Sequence, residues 1–170
     1  MRCYFVDAFA DRVFEGNPAG VCVMESWPSD ELMHSVAIEN NLSATAFAVK
    51  EGEDYRLRWF VLTGEVDLCG HATLATAFTI SNYIEPGTMN VAFNTLSGKL
   101  FVTRKQDLYE IDFPVFSLKQ TTVTAKMEEA IGARPMEAWL GRDLVCVMEN
   151  AEQIYQAKPD MQKVLELDGL

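Results

Sequence analysis

The amino-acid sequence predicts an α+β fold in which strands are rolled around one buried central helix. The 170 residues suffice for one domain or one and a fraction, and 49% hydrophobic with 23% charged residues is typical of a globular chain with a core. Short apolar runs bounded by turn-forming residues recur along the chain, as strands do. Residues 68–84 contain no Asp, Glu, Lys or Arg. A helix formed there has no charged face to turn toward water, so we expect it to be buried.

Before residue 62 the pattern predicts four strands and one helix. The predicted strands are 2–9, 19–24, 46–49 and 55–61. The helix is expected to begin after Ser29, which suits the N-cap position, and to end near Asn40-Asn41. Leu32 and Val36 follow at helical spacing and predict its apolar face.

The uncharged segment predicts the central helix, which Glu85-Pro86-Gly87 closes. Its small residues let neighbouring strands approach closely; they include Ala72, Ala75 and Ala77. After it, turns at Ser97-Gly98 and Gln106-Asp107 separate apolar runs and predict a meander of strands. The predicted strands of this meander are 91–95, 99–105 and 108–113.

From about Lys119 the pattern changes to short helices with one strand. The helices are predicted at 124–131, 151–157 and 161–167, and the strand at 144–148. These last ~50 residues are marginal for a core of their own, because small domains bury too little surface.

The charge balance excludes several classes of partner. Fourteen Lys and Arg against 25 Asp and Glu give a net charge of −11, which repels phosphate backbones and anionic lipid. We therefore expect neither nucleic acid nor a membrane surface as a partner. No apolar run approaches the ~18 residues of a membrane span. Asp7 and Asp11 lie where a signal peptide would be apolar, so a cytoplasmic protein is expected.

The four cysteines and two histidines are too scattered to predict a metal site. The cysteines are Cys3, Cys22, Cys69 and Cys146, and no two are closely spaced. A disulfide framework is not expected in so ordinary a composition. Cys3, Cys22 and Cys146 are interpreted as small buried side chains of strands, whereas the role of Cys69 is left open.

The start of the central helix is the best candidate for chemistry. A buried helix leaves its first amide groups without partners, and a cap or an anion must satisfy them. Gly70 lets a ligand approach the backbone and His71 adds a donor or a proton carrier, so a carboxylate substrate fits there. The alternative is that Asp67 caps the helix and His71 is only hydrogen-bonded.

Two further residues carry a functional and a structural interpretation. Cys69 lies at the same helix start, where the pKa of a thiol is lowered and a thiolate base becomes possible. The structural alternative is that Cys69 only packs in the core. Ser43, in the turn Asn40-Asn41-Leu42-Ser43, is placed to contact a ligand, but the turn alone is only a helix stop.

Several stretches of the sequence resemble a known family. In order, they are Val6-Asp7-Ala8-Phe9, 14–21 (Phe-Glu-Gly-Asn-Pro-Ala-Gly-Val), 41–47 (Asn-Leu-Ser-Ala-Thr-Ala-Phe) and 65–75 (Glu-Val-Asp-Leu-Cys-Gly-His-Ala-Thr-Leu-Ala). Together they resemble the N-terminal half of the phenazine-biosynthesis PhzF-like isomerases, which are relatives of diaminopimelate epimerase. Asp112-Phe113-Pro114 and Lys158-Pro159-Asp160 also resemble the family.

The resemblance implies a fold and a type of reaction. The family has two similar halves, each with strands rolled around a central helix, and the active site lies between them. Residues 1–118 would be the first such domain, with the presence of its last strand left open, and 119–170 the incomplete start of the second. The two helix N-termini hold the carboxylate of a small substrate, and no metal or organic cofactor is used.

Residue by residue, the resemblance places the site at the first helix terminus. It implies proton abstraction from carbon and proton return. His71 matches the family's proton-handling position, Gly70 and His71 its substrate-binding positions, and Ser43 a substrate-contacting serine.

Two departures from the family pattern bear on activity. Ala44 stands where the isomerases have the general acid–base glutamate, and loss of such a group typically costs ~10²–10⁴ in rate. The chain is also little more than half the family's length, and the motifs of the second half are absent. We therefore expect an isomerase or epimerase of impaired activity, with Cys69 substituting as base.

The alternative is a catalytically inactive, truncated homologue. Such a chain would bind small carboxylates or associate with itself, because half of a two-lobed fold exposes apolar surface. A homodimer is expected in either case.

Overall fold

The computed structural model describes residues 2–12 and 14–169, which form two compact units, Met1–Pro114 and Val115–Leu170. The expected domain boundary at residue 118 lies in the connection that follows the last strand of the first unit. That the second unit begins a similar domain stays a prediction.

The first unit contains eight strands and two α-helices within its described residues. The strands are β1 (Arg2–Ala8), β2 (Asn17–Met24), β3 (Ala44–Glu51), β4 (Asp54–Val61), β5 (Gly64–Val66), β6 (Asn90–Thr95), β7 (Gly98–Lys105) and β8 (Leu108–Asp112). The helices are α1 (Asp30–Asn40) and α2 (Gly70–Thr79), and a π-helical turn, Ile80–Ile84, continues α2. Only the three-residue strand β5 was not predicted.

The eight strands form one sheet that curls around α2. Its order is β1-β2-β3-β4-β6-β7-β8, with β5 paired to β4. The pairs β2–β3 and β4–β6 are parallel, and the other pairs are antiparallel. Helix α2 packs against β1, β2 and β3 and also against β8, so it touches strands at both ends of the order. This confirms the predicted fold of strands rolled around a buried central helix.

The core of the first unit lies between α2 and the inner face of the sheet. Ala72, Ala75 and Ala77 are at most 1% exposed, and they let the strands approach α2 as expected. The larger buried side chains of this core are Leu57, Trp59, Ile80, Phe93, Leu100 and Val102. Their burial supplies the main stabilisation of this unit, because apolar area removed from water is worth about 25 cal/mol per Å².

Helix α1 covers the outer face of the sheet with a different side from the one predicted. Met33 and Ala37 are buried there against a cluster that includes Phe47 and Phe60. Val36 packs at the edge of this cluster, but Leu32 is 51% exposed. The prediction of Leu32 on the apolar face is wrong, because α1 turns Met33 and Ala37 toward the sheet instead.

The second unit is a three-stranded antiparallel sheet with three short helices. The strands are β9 (Lys119–Thr121), β10 (Glu137–Leu140) and β11 (Leu144–Val147), in the order β11-β10-β9. The helices are α3 (Ala125–Ile131), α4 (Ala151–Gln156) and α5 (Met161–Val164), and α3 packs against α5. Strands β9 and β10 were not predicted, and α5 ends before the expected residue 167.

The cysteines differ from the expectation of buried strand residues. Cys22 is fully buried, but Cys3 is exposed and Cys146 is only half-buried. Cys3 lies in β1, which has a strand on one side only among the described residues. An edge strand leaves its outward side chains in water, and the sequence does not reveal which strand lies at the edge.

Candidate active site

Helix α2 begins directly after Cys69. Cys69 holds the N-cap position in an extended conformation, with φ −149° and ψ 105°, and its side chain makes no capping hydrogen bond. The carbonyl oxygen of Cys69 accepts from the Thr73 amide at 3.2 Å and from Thr73 Oγ1 at 2.6 Å. Asp67 lies two residues before the N-cap position. The alternative that its side chain caps the helix stays a prediction. No acidic residue lies in the first turn, so its amide groups and dipole favour an external anion.

Ser43 and His71 meet at this helix terminus. Ser43 Oγ lies 3.0 Å from His71 Nε2, although the two residues are 28 apart in sequence. Asn41, in the left-handed conformation with φ 50°, ends α1, and Asn40 Nδ2 donates to Thr45 Oγ1 at 3.1 Å. These contacts fix the turn that carries Ser43 toward α2. The structure thus brings Ser43 to the start of α2, and its predicted contact with a ligand stays a prediction.

The hydrogen bonds of Ser43 indicate which nitrogen of His71 carries the proton. Ser43 Oγ donates to Asn17 Oδ1 at 2.7 Å and also faces the Pro18 carbonyl oxygen at 3.1 Å. A hydroxyl has one proton, so with that proton on Asn17 the serine oxygen accepts from His71 Nε2–H. His71 Nδ1 is then free to accept from the Cys69 thiol, whose sulfur lies 3.5 Å away. Cys69, His71, Ser43 and Asn17 form one line of hydrogen bonds.

Burial affects the pKa of both titratable groups in this line. The pKa of His71 is lowered by burial, so its imidazole is neutral near pH 7 and can accept a proton. The pKa of Cys69 is raised by burial, which the Ala72 amide offsets only in part. The expectation that the helix start lowers the pKa of Cys69 is wrong, because desolvation of the thiolate outweighs the favourable amide. Cys69 is a thiol at neutral pH, which can donate a hydrogen bond to His71 Nδ1 but is not suited to acting as a base.

Gly70 serves a packing purpose that the sequence did not reveal. A Cβ atom built on Gly70 would lie 3.0 Å from Cζ of Phe113, so the absence of a side chain lets this ring approach the helix start. Phe113 is 39% exposed and covers one side of the first turn. Whether Gly70 also admits a substrate stays a prediction.

Ala44 lies beside the site but faces the core. It is 1% exposed, it is paired with Ala19 in the parallel register of β2 and β3, and it belongs to the same apolar cluster as Ala72. Its methyl group carries no proton. Ser43, the residue before Ala44, lies within hydrogen-bonding distance of His71. A longer side chain at position 44 would therefore start from the residue next to Ser43.

The site opens at the surface of the first unit. Ser43 is exposed and His71 half-buried. A groove of about 610 Å³ lies elsewhere in this unit, between β1, α2 and β8, and it includes none of Ser43, Cys69, Gly70 or His71. Residues 2–12 and 14–169 contain no group of three His, Cys, Asp or Glu side chains that could hold a metal ion.

Two residues of the site were not predicted. Asn17 accepts from Ser43, and Phe113 covers Gly70. Both lie inside stretches that resemble the family, Phe14–Val21 and Asp112–Pro114, so position within a motif was the available signal.

Along the part of the chain that the structure describes, no helix combines the length and the apolar character needed to cross a membrane.

Comparison with known proteins gives the chain relatives along almost its whole length. The model of the PhzC-PhzF family, described as phenazine biosynthesis-like protein, matches residues 6–169. An uncharacterized isomerase of Pseudomonas aeruginosa is 42% identical over 164 residues, covering 96% of this chain and 63% of the relative. The chain thus spans about three fifths of the length of these curated relatives.

Solved structures share the fold. The crystal structure of a phenazine biosynthesis PhzF family protein from Enterococcus faecalis has 47% identity and a TM-score of 0.90, covering 98% of this chain and 64% of that one. A predicted epimerase from Pseudomonas aeruginosa, 20% identical, has a TM-score of 0.74 over 97% of this chain and 66% of its own, and it shows the fold alone. With a family model that matches 6–169, this chain belongs to the PhzC-PhzF family of phenazine biosynthesis-like proteins.

Proposed function

We propose that the chain binds a small carboxylate-bearing substrate at the N-terminus of α2 and acts as a cofactor-independent isomerase or epimerase. The observation that carries the proposal is the hydrogen bond between Ser43 and His71 at the N-terminus of α2, whose first turn contains no acidic residue. The first-turn amides and the helix dipole attract the carboxylate, as they attract anions elsewhere. Gly70 and Ser43 would contact the bound substrate.

His71 is the proton carrier in this proposal. Burial keeps its imidazole neutral, so it can take a proton from a carbon next to the carboxylate and return one. The thiol of Cys69, 3.5 Å from Nδ1, would orient the ring by hydrogen bonding. The relatives are named isomerases, which agrees with this type of reaction.

We expect the activity to be low because Ala44 offers no acid–base group. Loss of such a group typically costs ~10²–10⁴ in rate. The chain spans about three fifths of its relatives' length. The alternative is a catalytically inactive homologue that binds small carboxylates.

Deuterium uptake from heavy water separates the two possibilities. Candidate amino-acid and dihydro-hydroxyanthranilate-like carboxylates are incubated with the chain, and exchange at carbon is followed by NMR. We expect slow exchange that His71→Gln abolishes, whereas exchange no faster with the wild type than with His71→Gln overturns the enzymatic proposal. His34→Gln is the matched control, because His34 bonds the Leu62 carbonyl away from the site.

Restoring a carboxyl group tests the effect of Ala44. We expect Ala44→Glu to raise the exchange rate by ~10²-fold or more, and Ala44→Gln, of equal size, to leave it unchanged. Position 44 is buried, so far-UV circular dichroism of both variants must match that of the wild type. Equal rates for the Glu and Gln variants would show that a carboxyl group at this position is not what the chain lacks.

We also propose that the chain forms a homodimer. The groove between β1 and β8 exposes aromatic side chains, and both strands have an unpaired edge among the described residues. A second copy of the chain can cover both features.

A further inference from the structure

Two thiols lie against each other outside the candidate active site. Cys3 in β1 is directly opposite Cys22 in β2 in the antiparallel register. Their sulfur atoms are 3.0 Å apart, and both cysteines are free thiols. The residues are 19 apart in sequence, so the strand pairing alone brings them together.

The backbone geometry at this pair suits a covalent bond. Directly opposite residues of an antiparallel pair have Cα atoms about 4.5–5.5 Å apart. Disulfides span Cα separations of about 4.4–6.8 Å, with sulfur atoms about 2.05 Å apart. The two sulfur atoms therefore need to approach by only about 1 Å to reach bonding distance.

The two thiols differ in access and in acidity. Cys22 is fully buried under α1, whereas Cys3 is exposed on the edge strand. The contact between the two sulfur atoms, in which either can donate, lowers the pKa of Cys3 and, together with burial, raises the pKa of Cys22. Cys3 is thus the accessible nucleophile, since the thiolate is the reactive form, and Cys22 is held in place behind it.

We propose that Cys3 and Cys22 are a site of reversible oxidation by peroxide, at which they form a cross-strand disulfide. Cys3 Sγ attacks one peroxide oxygen, the O–O bond breaks, and a sulfenic acid and one water result. Cys22 Sγ then attacks Cys3 Sγ, the S–O bond breaks, and a second water leaves with the thiol proton of Cys22. Two thiols are oxidised, one peroxide is reduced, and a dithiol reductant reverses the reaction.

The disulfide would fasten the edge strand to the sheet. Chain 3–22 becomes a closed loop, and this loop contains Asn17, which accepts from Ser43 at the candidate site. Cross-linking stabilises the folded state chiefly by restricting the unfolded chain. We therefore expect the melting temperature of the chain to rise on oxidation and to return on reduction.

Thiol counting and mass spectrometry test the proposal. The reduced chain, with its four cysteines, is treated with one equivalent of hydrogen peroxide, and its free thiols are titrated. We expect the loss of two thiols, a mass lower by two hydrogens, and a proteolytic fragment that joins the peptides of Cys3 and Cys22. Dithiothreitol restores all four thiols.

Three variants decide between this pair and other thiols. Cys146→Ser, the matched control in the second unit, still loses two thiols, whereas Cys3→Ser and Cys22→Ser form no intrachain disulfide. Cys3 is exposed, so Cys3→Ser is expected to fold even if the buried Cys22→Ser does not. A disulfide that involves Cys69 or Cys146, or oxidation of Cys3 to a sulfinic acid without cross-linking, would overturn the proposal.

Discussion

Ser43 connects three parts of the first unit through one hydroxyl group. It contacts Asn17 and Pro18 at the start of β2 and His71 at the start of α2. Its own position follows from the left-handed Asn41, which ends α1. A single side chain therefore sets the orientation of the imidazole relative to both the sheet and the central helix.

The depressed pKa of His71 gives stability a specific pH dependence. The folded chain takes up a proton at His71 less readily than the unfolded chain does, whose ordinary pKa is about 6.5. Above about pH 6.5 the neutral imidazole makes its full contribution to the free energy of unfolding. This contribution is lost as the pH falls below that value, because the unfolded chain then binds more protons than the folded chain. We expect the melting temperature of the wild type to fall more steeply than that of His71→Gln between about pH 7.5 and 5.5.

Differential scanning calorimetry of the two proteins across this range provides the measurement. Other titrating groups are the same in both proteins, so only the difference between the two curves reports on His71. Parallel curves would show that the imidazole is protonated equally well in the folded and unfolded chains.

The sequence predicts the grouping of site residues that belong to one motif. It does not predict contacts between residues that are distant in sequence and meet only through packing. Cys69, Gly70 and His71 are neighbours at one helix start, so their grouping follows from sequence. The bond of Ser43 to Asn17 and the contact of Phe113 with Gly70 depend on strand pairing and on the path of the chain after β8. The direction of the Cys69 pKa was mispredicted because its burial is a property of the folded unit.

Helix α2 shows how an element without charges can still contain buried polar groups. Thr73, Thr76 and Thr79 are fully buried. The hydroxyl of each donates to a carbonyl oxygen four residues earlier, at 2.6–2.9 Å. Each hydroxyl thereby satisfies its donor within the helix, so no polar partner is needed from the strands. The absence of charged residues in this segment was what predicted its burial from the sequence.

Helix α1 was predicted as an element but not in its orientation. Apolar residues occupy positions 32, 33, 36, 37 and 38, so the sequence allows more than one buried side. In the folded chain, Met33 and Ala37 are the residues of this set that pack in the buried cluster with Phe47 and Phe60. The short strands β5, β9 and β10 were missed for a related reason, since three or four residues show too little alternation to identify a strand.

Two neighbouring truncations on α1 test its orientation. Met33→Ala removes a fully buried side chain and should lower the free energy of unfolding by about 2–5 kcal/mol. Leu32→Ala, one residue earlier and 51% exposed, should change it by at most about 0.5 kcal/mol. Urea denaturation followed by circular dichroism measures both. Equal losses in the two variants would mean that α1 does not present Met33 to the sheet.

The first unit as a whole leaves the groove between β1 and β8 uncovered by its own described residues. Tyr4 and Tyr83 stack there with ring centroids 5.4 Å apart, and Phe78 packs edge-on against Tyr83 and Tyr109. Phe5 and Leu108, at its rim, are 66% and 75% exposed. Aromatic surface beside two open strand edges is typical of an association site.

The proposed homodimer at this groove opposes the net charge of the chain. Each copy carries −11, so two copies repel each other at low ionic strength, and salt weakens this repulsion while leaving apolar contact intact. We therefore expect association to strengthen as salt rises from about 20 mM to 0.5 M. Sedimentation equilibrium at tens of micromolar, about the concentration at which a modest interface is half-occupied, measures it.

A pair of variants ties the association to the groove. Phe5→Glu places a like charge at its rim and should leave a monomer at every salt concentration, since each copy would then bury an unpaired carboxylate in the contact. Phe101→Glu adds the same charge on β7, at a phenylalanine that is 52% exposed and outside the groove, and should still associate in high salt. Two results would contradict dimerisation at this groove. One is a wild-type chain that stays monomeric in 0.5 M salt, and the other is a Phe5→Glu variant that dimerises as well as Phe101→Glu. Because neither substitution touches Ser43 or His71, their effect on association is separate from any effect on proton exchange.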